Sequence, residues 1–147
     1  MLVTRAEIAD LIPHSGAMCL LDGVLQWDVR RIRCVSRSHR ADNNPLRAEV
    51  RLPAVCGIEY AAQAMAVHGS LVRRAVGKPR RGLLASVRGV ICSRDRLDDL
   101  EGDLIVEAEL EAGDGNRVMY RFVLRAGEVE VLSGRAAVVL DAAGAAG

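Results

Sequence analysis

The chain has almost no lysine, no closely spaced cysteine pair, no dominant sign of charge and no long apolar run, and each absence removes a class of function. Its 20 Lys and Arg nearly balance 19 Asp and Glu, for a formal net charge of +1. That balance lacks the single-sign field of a nucleic-acid binder and the profile of a disordered chain, so no nucleic-acid partner is expected. Lys78 is the sole lysine, and residues 142–147 are Ala and Gly only. Both features read as GC-rich coding, and the tail as flexible. Cys19, Cys34, Cys56 and Cys92 stand far apart with no CxxC or Cys/His cluster, which argues against structural zinc and leaves buried thiols in a reducing cytoplasm. No stretch approaches the roughly 20 apolar residues of a membrane span, and the N-terminus lacks the apolar core and cleavage site of a secretory signal, so no membrane partner is expected.

What is present is enough apolar material, 50% of 147 residues, for one substantial core. A single domain over residues 1–141 is expected. Thr4 and Glu7 have the capping-box spacing, predicting a short helix over 4–10 that stops before Pro13. Residues 18–27 and 30–39 read as strands; in the second, Ile32, Cys34, Ser36 and Ser38 alternate with Arg33, Val35, Arg37 and His39, the face expected to be wet. Asp42, Asn43, Asn44 and Pro45 together predict a turn.

From Pro53 to Val76 the chain is rich in Ala and Met and apolar around most of a helical circumference, which describes a buried helix. Pro53 suits its first position, and Gly77, Lys78 and Pro79 supply the stop. Four strands are expected near 83–94, 103–112, 117–126 and 129–140. Two strands, a helix and a four-strand meander predict an α+β fold in which one antiparallel sheet curls around one helix. Such a sheet leaves an edge strand to be paired, so a dimer is expected.

The segment LPAVCGIEYAAQAMAVHG, residues 52–69, carries the candidate chemistry. Glu59 lies near the helix start among apolar residues, where burial raises a carboxyl pKa and the helix dipole lowers it. It is read as catalytic, against the plainer role of capping its own helix. Gln63 falls one turn later, about 40° round, where it can orient Glu59, bond a ligand or bond backbone alone. Gly57 and the open N–H groups of the first turn can polarise a carbonyl on which negative charge develops. His68 falls on the opposite face and reads as a packed or surface histidine. Cys56 could be a dipole-stabilised thiolate but reads better as a small buried residue. Arg73, Arg74, Arg80 and Arg81 could meet an acidic partner or a phosphate, or simply solvate the helix end.

Two segments carry a resemblance. LIPHSGAMCLLDGVLQWD, residues 11–28, resembles the I-P-H…L-L-x-D-x-V segment of bacterial 3-hydroxyacyl-acyl-carrier-protein dehydratases, and LPAVCGIEYAAQ, residues 52–63, resembles their M-P-G-V-x-x-x-E-A-x-A-Q segment. The G-I-E-Y-A-A-Q-A-M-A-V-H-G run is most similar to that of the dehydratase-like proteins of aryl-polyene clusters. The resemblance implies a hotdog fold, a homodimer or a heterodimer with another hotdog subunit, and acyl chains in tunnels beside the helix. It also implies an acyl carrier protein whose phosphopantetheine carries the substrate, with no other cofactor and no metal.

In the family a histidine removes the C2 proton and a helix acid, matching Glu59, helps expel the C3 hydroxyl. Where that histidine's H-F-P-G-x-P stretch belongs, this chain has Pro45 preceded by Asn44. Asn44 is taken as a substrate-binding candidate with Gln63, Gly57, Cys56 and His14, whose I-P-H position looks structural. His39 is the tentative base, against a solvated strand-end residue. Three functions follow: a dehydratase, a thioesterase using Glu59 to activate water, and a non-catalytic acyl-binding subunit paired with a complete dehydratase.

Overall fold

The computed structural model describes residues 2–12, 16–49, 51–76, 82–114 and 116–140. His14, Lys78, Arg80, Arg81 and the 142–147 tail therefore lie outside the described residues. Chain order is β1 (Val3–Thr4), α1 (Arg5–Leu11), β2 (Gly23–Trp27), β3 (Arg31–Ser36), α2 (Gly57–Val76), β4 (Gly82–Cys92), β5 (Leu104–Gly113), β6 (Arg117–Ala126) and β7 (Val129–Leu140), with short 3-10 turns before β2, after β3 and before α2. All pairings are antiparallel, in the order β1-β2-β3-β5-β6-β7-β4.

The sheet curls around α2. Ile32, Cys34, Val106, Phe122, Leu124 and Leu132 point inward from it and meet Tyr60, Ala61, Ala64 and Val67 of the helix, all buried. At 20 residues the helix is about 30 Å long. The capping box at the start of α1 is present: Thr4 Oγ accepts from the Glu7 N–H, and the Glu7 carboxylate accepts from the Thr4 N–H. Ile8 packs into the core, and Ser70 Oγ donates to the Leu11 carbonyl at 2.9 Å, so α1 closes over the side of α2 away from the sheet. One long helix wrapped by one antiparallel sheet is the hotdog arrangement.

Three local expectations differ. Residues 18–22 are not strand, because this apolar stretch lies on α2, bonded through the Gln63 side chain. The second strand ends at Ser36, and a 3-10 turn over Ser38–Arg40 rotates His39 from the expected wet face into the interior. Pro53 precedes a 3-10 turn, Ala54–Cys56, that leads into α2, so it caps this turn instead of opening the α-helix.

Candidate functional site

The entry to α2 is held by the loop between β4 and β5. Asp98 accepts from the Leu52 N–H at 2.9 Å, Leu97 N–H donates to the Leu52 carbonyl at 2.8 Å, and Ala54 N–H donates to the Asp95 carbonyl at 2.9 Å. The Arg96 guanidinium beside Asp98 holds its carboxyl well below the usual carboxylate range. These contacts fix where Glu59 stands: in the first turn of α2, half-buried.

Gly57 sits directly on the sheet. A Cβ there would lie 2.8 Å from Leu132 Cδ2 and 2.9 Å from Leu124 Cδ2, so any larger residue would force these two buried leucines to shift. Its N–H is directed at the Ala54 and Val55 carbonyls. The expectation of an open amide at Gly57 is thus corrected: the 3-10 turn consumes it. Cys56 is half-buried with its thiol 3.8 Å from the Leu46 carbonyl, and burial pushes its pKa up, the opposite of an activated thiolate.

Gln63 is 1% exposed, and both ends of its amide bond backbone: Nε2 donates to the Met18 carbonyl at 2.7 Å and Oε1 accepts from the Leu20 N–H at 2.9 Å. These bonds pin residues 18–20 to the helix and do not reach Glu59. Asn44 is also committed. Its Nδ2 donates to the Ser38 carbonyl at 2.9 Å and to the Tyr60 hydroxyl at 3.0 Å, while Oδ1 accepts from the Leu46 N–H at 2.9 Å. Ser38 Oγ lies 2.8 Å from the same Tyr60 hydroxyl and donates to the Leu20 carbonyl, which also receives Ser36 Oγ. The loop carrying Asn44 therefore ends in a hydrogen-bonded knot on the residue next to Glu59, with Pro45 exposed outside it.

His39 is fully buried. Its Nε2 is 3.1 Å from the Leu100 carbonyl, which can only accept, so Nε2 carries the proton; the buried Nδ1 has no hydrogen-bond partner. Burial lowers its pKa below 6.5. His68 is packed, as expected: Nε2 donates to the Asp28 carbonyl at 2.8 Å, leaving Nδ1 to accept from the Tyr120 hydroxyl at 2.6 Å.

Sequence reasoning missed Tyr60, Ser38 and Tyr120. The signal was two hydroxyl-bearing aromatics in otherwise apolar segments, since a buried phenol requires a polar partner.

The family model for the ApeP-like proteins, described as ApeP dehydratase, matches residues 6–144. No curated protein matches the sequence significantly. Among solved structures, the dehydratase heterocomplex ApeI:P of Xenorhabdus doucetiae superposes with a TM-score of 0.81 at 20% identity, covering 92% of this chain and 91% of that one. A thioesterase of Haemophilus influenzae gives 0.68 at 13% identity over 96% and 95% of the two chains. A hypothetical thioesterase of Streptococcus pneumoniae, solved with coenzyme A, gives 0.58 at 11% identity over 82% and 85%. The structural likenesses establish the hotdog fold, and the match over nearly the full length establishes that this chain belongs to the ApeP-like dehydratase family.

Proposed function

We propose that the chain is a dehydratase subunit for 3-hydroxyacyl thioesters in aryl-polyene biosynthesis, and that it works in the cytoplasm paired with a second hotdog subunit. The observation that carries the paired reading is the Asn44 knot: Pro45 stands at the spacing of the family's histidine, and its neighbour Asn44 is spent on Tyr60, Ser38 and Leu46. Dehydration breaks C2–H and C3–O bonds, forms C2=C3 and releases water, so one group must accept a proton while another donates. Glu59 is suited to the donor task. The base comes from the partner subunit, and an acyl carrier protein brings the substrate on its pantetheine arm, with no metal or other cofactor.

The ApeI:P neighbour is itself a heterocomplex, which supports pairing. So does β4, which ends the sheet as an open edge of 11 residues with Leu84, Val90 and Ile91 exposed. An apolar open edge is stable against aggregation only when paired or covered.

The test is to incubate the chain alone, and mixed with a histidine-bearing hotdog dehydratase subunit, with 3-hydroxyacyl-pantetheine thioesters while following enoyl product. Little product from the chain alone, product from the mixture, and a loss on Glu59→Gln are expected. Full turnover by the chain alone removes the paired reading, and release of free acid makes it a thioesterase.

A further inference from the structure

The open edge of the sheet carries a positive charge that no carboxylate among the described residues answers. β4 has the sequence GLLASVRGVIC, in which Arg88 is the one charged side chain. Val87 pairs with the buried Ala136 and turns inward, so Arg88 stands on the outer face, where it is exposed. Its cross-strand neighbour on β7 is Arg135, and the neighbour of Arg135 on β6 is Arg121. A row of three guanidiniums therefore runs out to the edge. The carboxylates beside that row are engaged: Glu111 holds Arg135 at 3.0 Å, and Glu109 lies 2.7 Å from Arg31 and 3.6 Å from Arg121. Among the described residues Arg88 has neither an ion pair nor a side-chain hydrogen bond.

That charge limits what can pair with the edge. Leu84, Val90 and Ile91 are exposed along β4, so the strand offers apolar contact together with its open backbone groups. A second copy of the chain would present the same strand in the antiparallel sense about a two-fold axis. It brings no carboxylate in residues 82–92, so no register within the strand sets an acid against Arg88. Full overlap of the two 11-residue strands places position 88 opposite 86, which puts both Arg88 side chains on one diagonal of the outer face, roughly 7–8 Å apart at the backbone. Arg135 and Arg121 stand behind each of them, so cations of both copies would line up across the joined sheet. Like charges so placed on neighbouring strands repel.

We propose that Arg88 makes this edge selective for a hotdog subunit of different sequence, one whose edge strand carries a carboxylate beside Arg88 on the outer face, and that it disfavours a second copy. This rests on the paired reading above, to which it adds the chemistry the partner must bring. The apolar residues of β4 supply affinity for any matching edge, and the charge decides which partner is held.

A subunit with an acidic edge can be made from the chain itself. Arg88→Glu reverses the charge of an exposed side chain that has no partner to lose, so the fold is retained. Sedimentation equilibrium then compares the wild type alone, the variant alone and their equimolar mixture. After correction for statistics, the mixed dimer is tighter than either self-dimer by about fivefold at low salt, the worth of an opposite pair in place of a like one. Added NaCl screens these exposed charges and erases the gain. Arg33→Glu is the same reversal at an exposed arginine on β3, which β5, β6 and β7 separate from the edge, and its mixture with wild type is no tighter than wild type alone. A mixture with Arg88→Glu that shows no gain, or an equal gain from Arg33→Glu, overturns the selectivity and leaves the paired reading intact. Monomers in every sample overturn β4 as a pairing edge and the selectivity with it, while the enoyl assay above still tests the paired reading by itself.

Discussion

The knot at Asn44 makes a quantitative claim, because three hydrogen bonds are lost together when it is cut. In Asn44→Ala the Leu46 N–H and one side of the Tyr60 hydroxyl lose their partner, while the Ser38 carbonyl loses one of two donors and keeps the Ala41 N–H at 3.1 Å. Each unsatisfied buried group costs about 1–3 kcal/mol. Ser38 and Leu46 are close enough to the surface to regain water, and Tyr60 keeps Ser38 Oγ at 2.8 Å, so a total of about 2–3 kcal/mol is expected. Tyr60→Phe removes the hydroxyl while Asn44 keeps the Ser38 carbonyl and Ser38 keeps the Leu20 carbonyl, for a loss of about 1–1.5 kcal/mol. The double variant loses the Asn44–Tyr60 bond only once and should fall short of the sum by about 1 kcal/mol. Urea unfolding of the four proteins, with equal slopes, measures all three quantities. Additivity within about 0.3–0.5 kcal/mol would refute the knot. The loop carrying Asn44 would then be held by something other than Tyr60.

The remaining predictions concern titration, thiols and the open edge. His39 and His68 both have pKa values lowered first by burial, so the unfolded chain binds protons that the folded chain refuses. Stability is complete above pH 6.5 and declines as pH falls through the lowered folded values; thermal melts between pH 8 and 5 test this, and a flat profile would show that the imidazoles are not buried neutral. Burial pushes the Cys34 thiol up to about 12, while Cys92 is exposed on β4. A disulfide-exchange reagent at neutral pH should label Cys92 quickly and Cys34 only on unfolding, and equal native rates would contradict the packing of β3 on α2. Ile91, 67% exposed on the open edge, should be needed for association: Ile91→Lys gives a monomer by light scattering at micromolar concentration, and an unchanged oligomer would place the interface elsewhere.

Elements whose character is set by neighbours in the chain were legible in the sequence. The strands over 117–126 and 129–140 stand as expected, joined by a tight turn at Gly127 with φ +60°, because alternation and turn residues are local properties. The α1 capping box and the buried character of α2 are legible for the same reason. Glu59 at the start of α2 followed from composition and spacing alone.

Only the tertiary structure decided where polar side chains go. Residues 18–22 have the composition of a strand, yet Gln63, more than 40 positions later, bonds Met18 and Leu20 and holds them on the helix. His39 was expected to share the solvent face of Arg33 and Arg37; the strand ends three residues earlier, and the turn carries the ring beneath Leu100. Gly57 looked like an open amide, but the 3-10 turn takes its N–H, and a Cβ there would press on leucines of β6 and β7. Periodicity reports which face of an element is apolar, a property of consecutive residues. Hydrogen-bond satisfaction and steric clearance depend on which distant segment arrives opposite, and that is settled only when the sheet closes around α2.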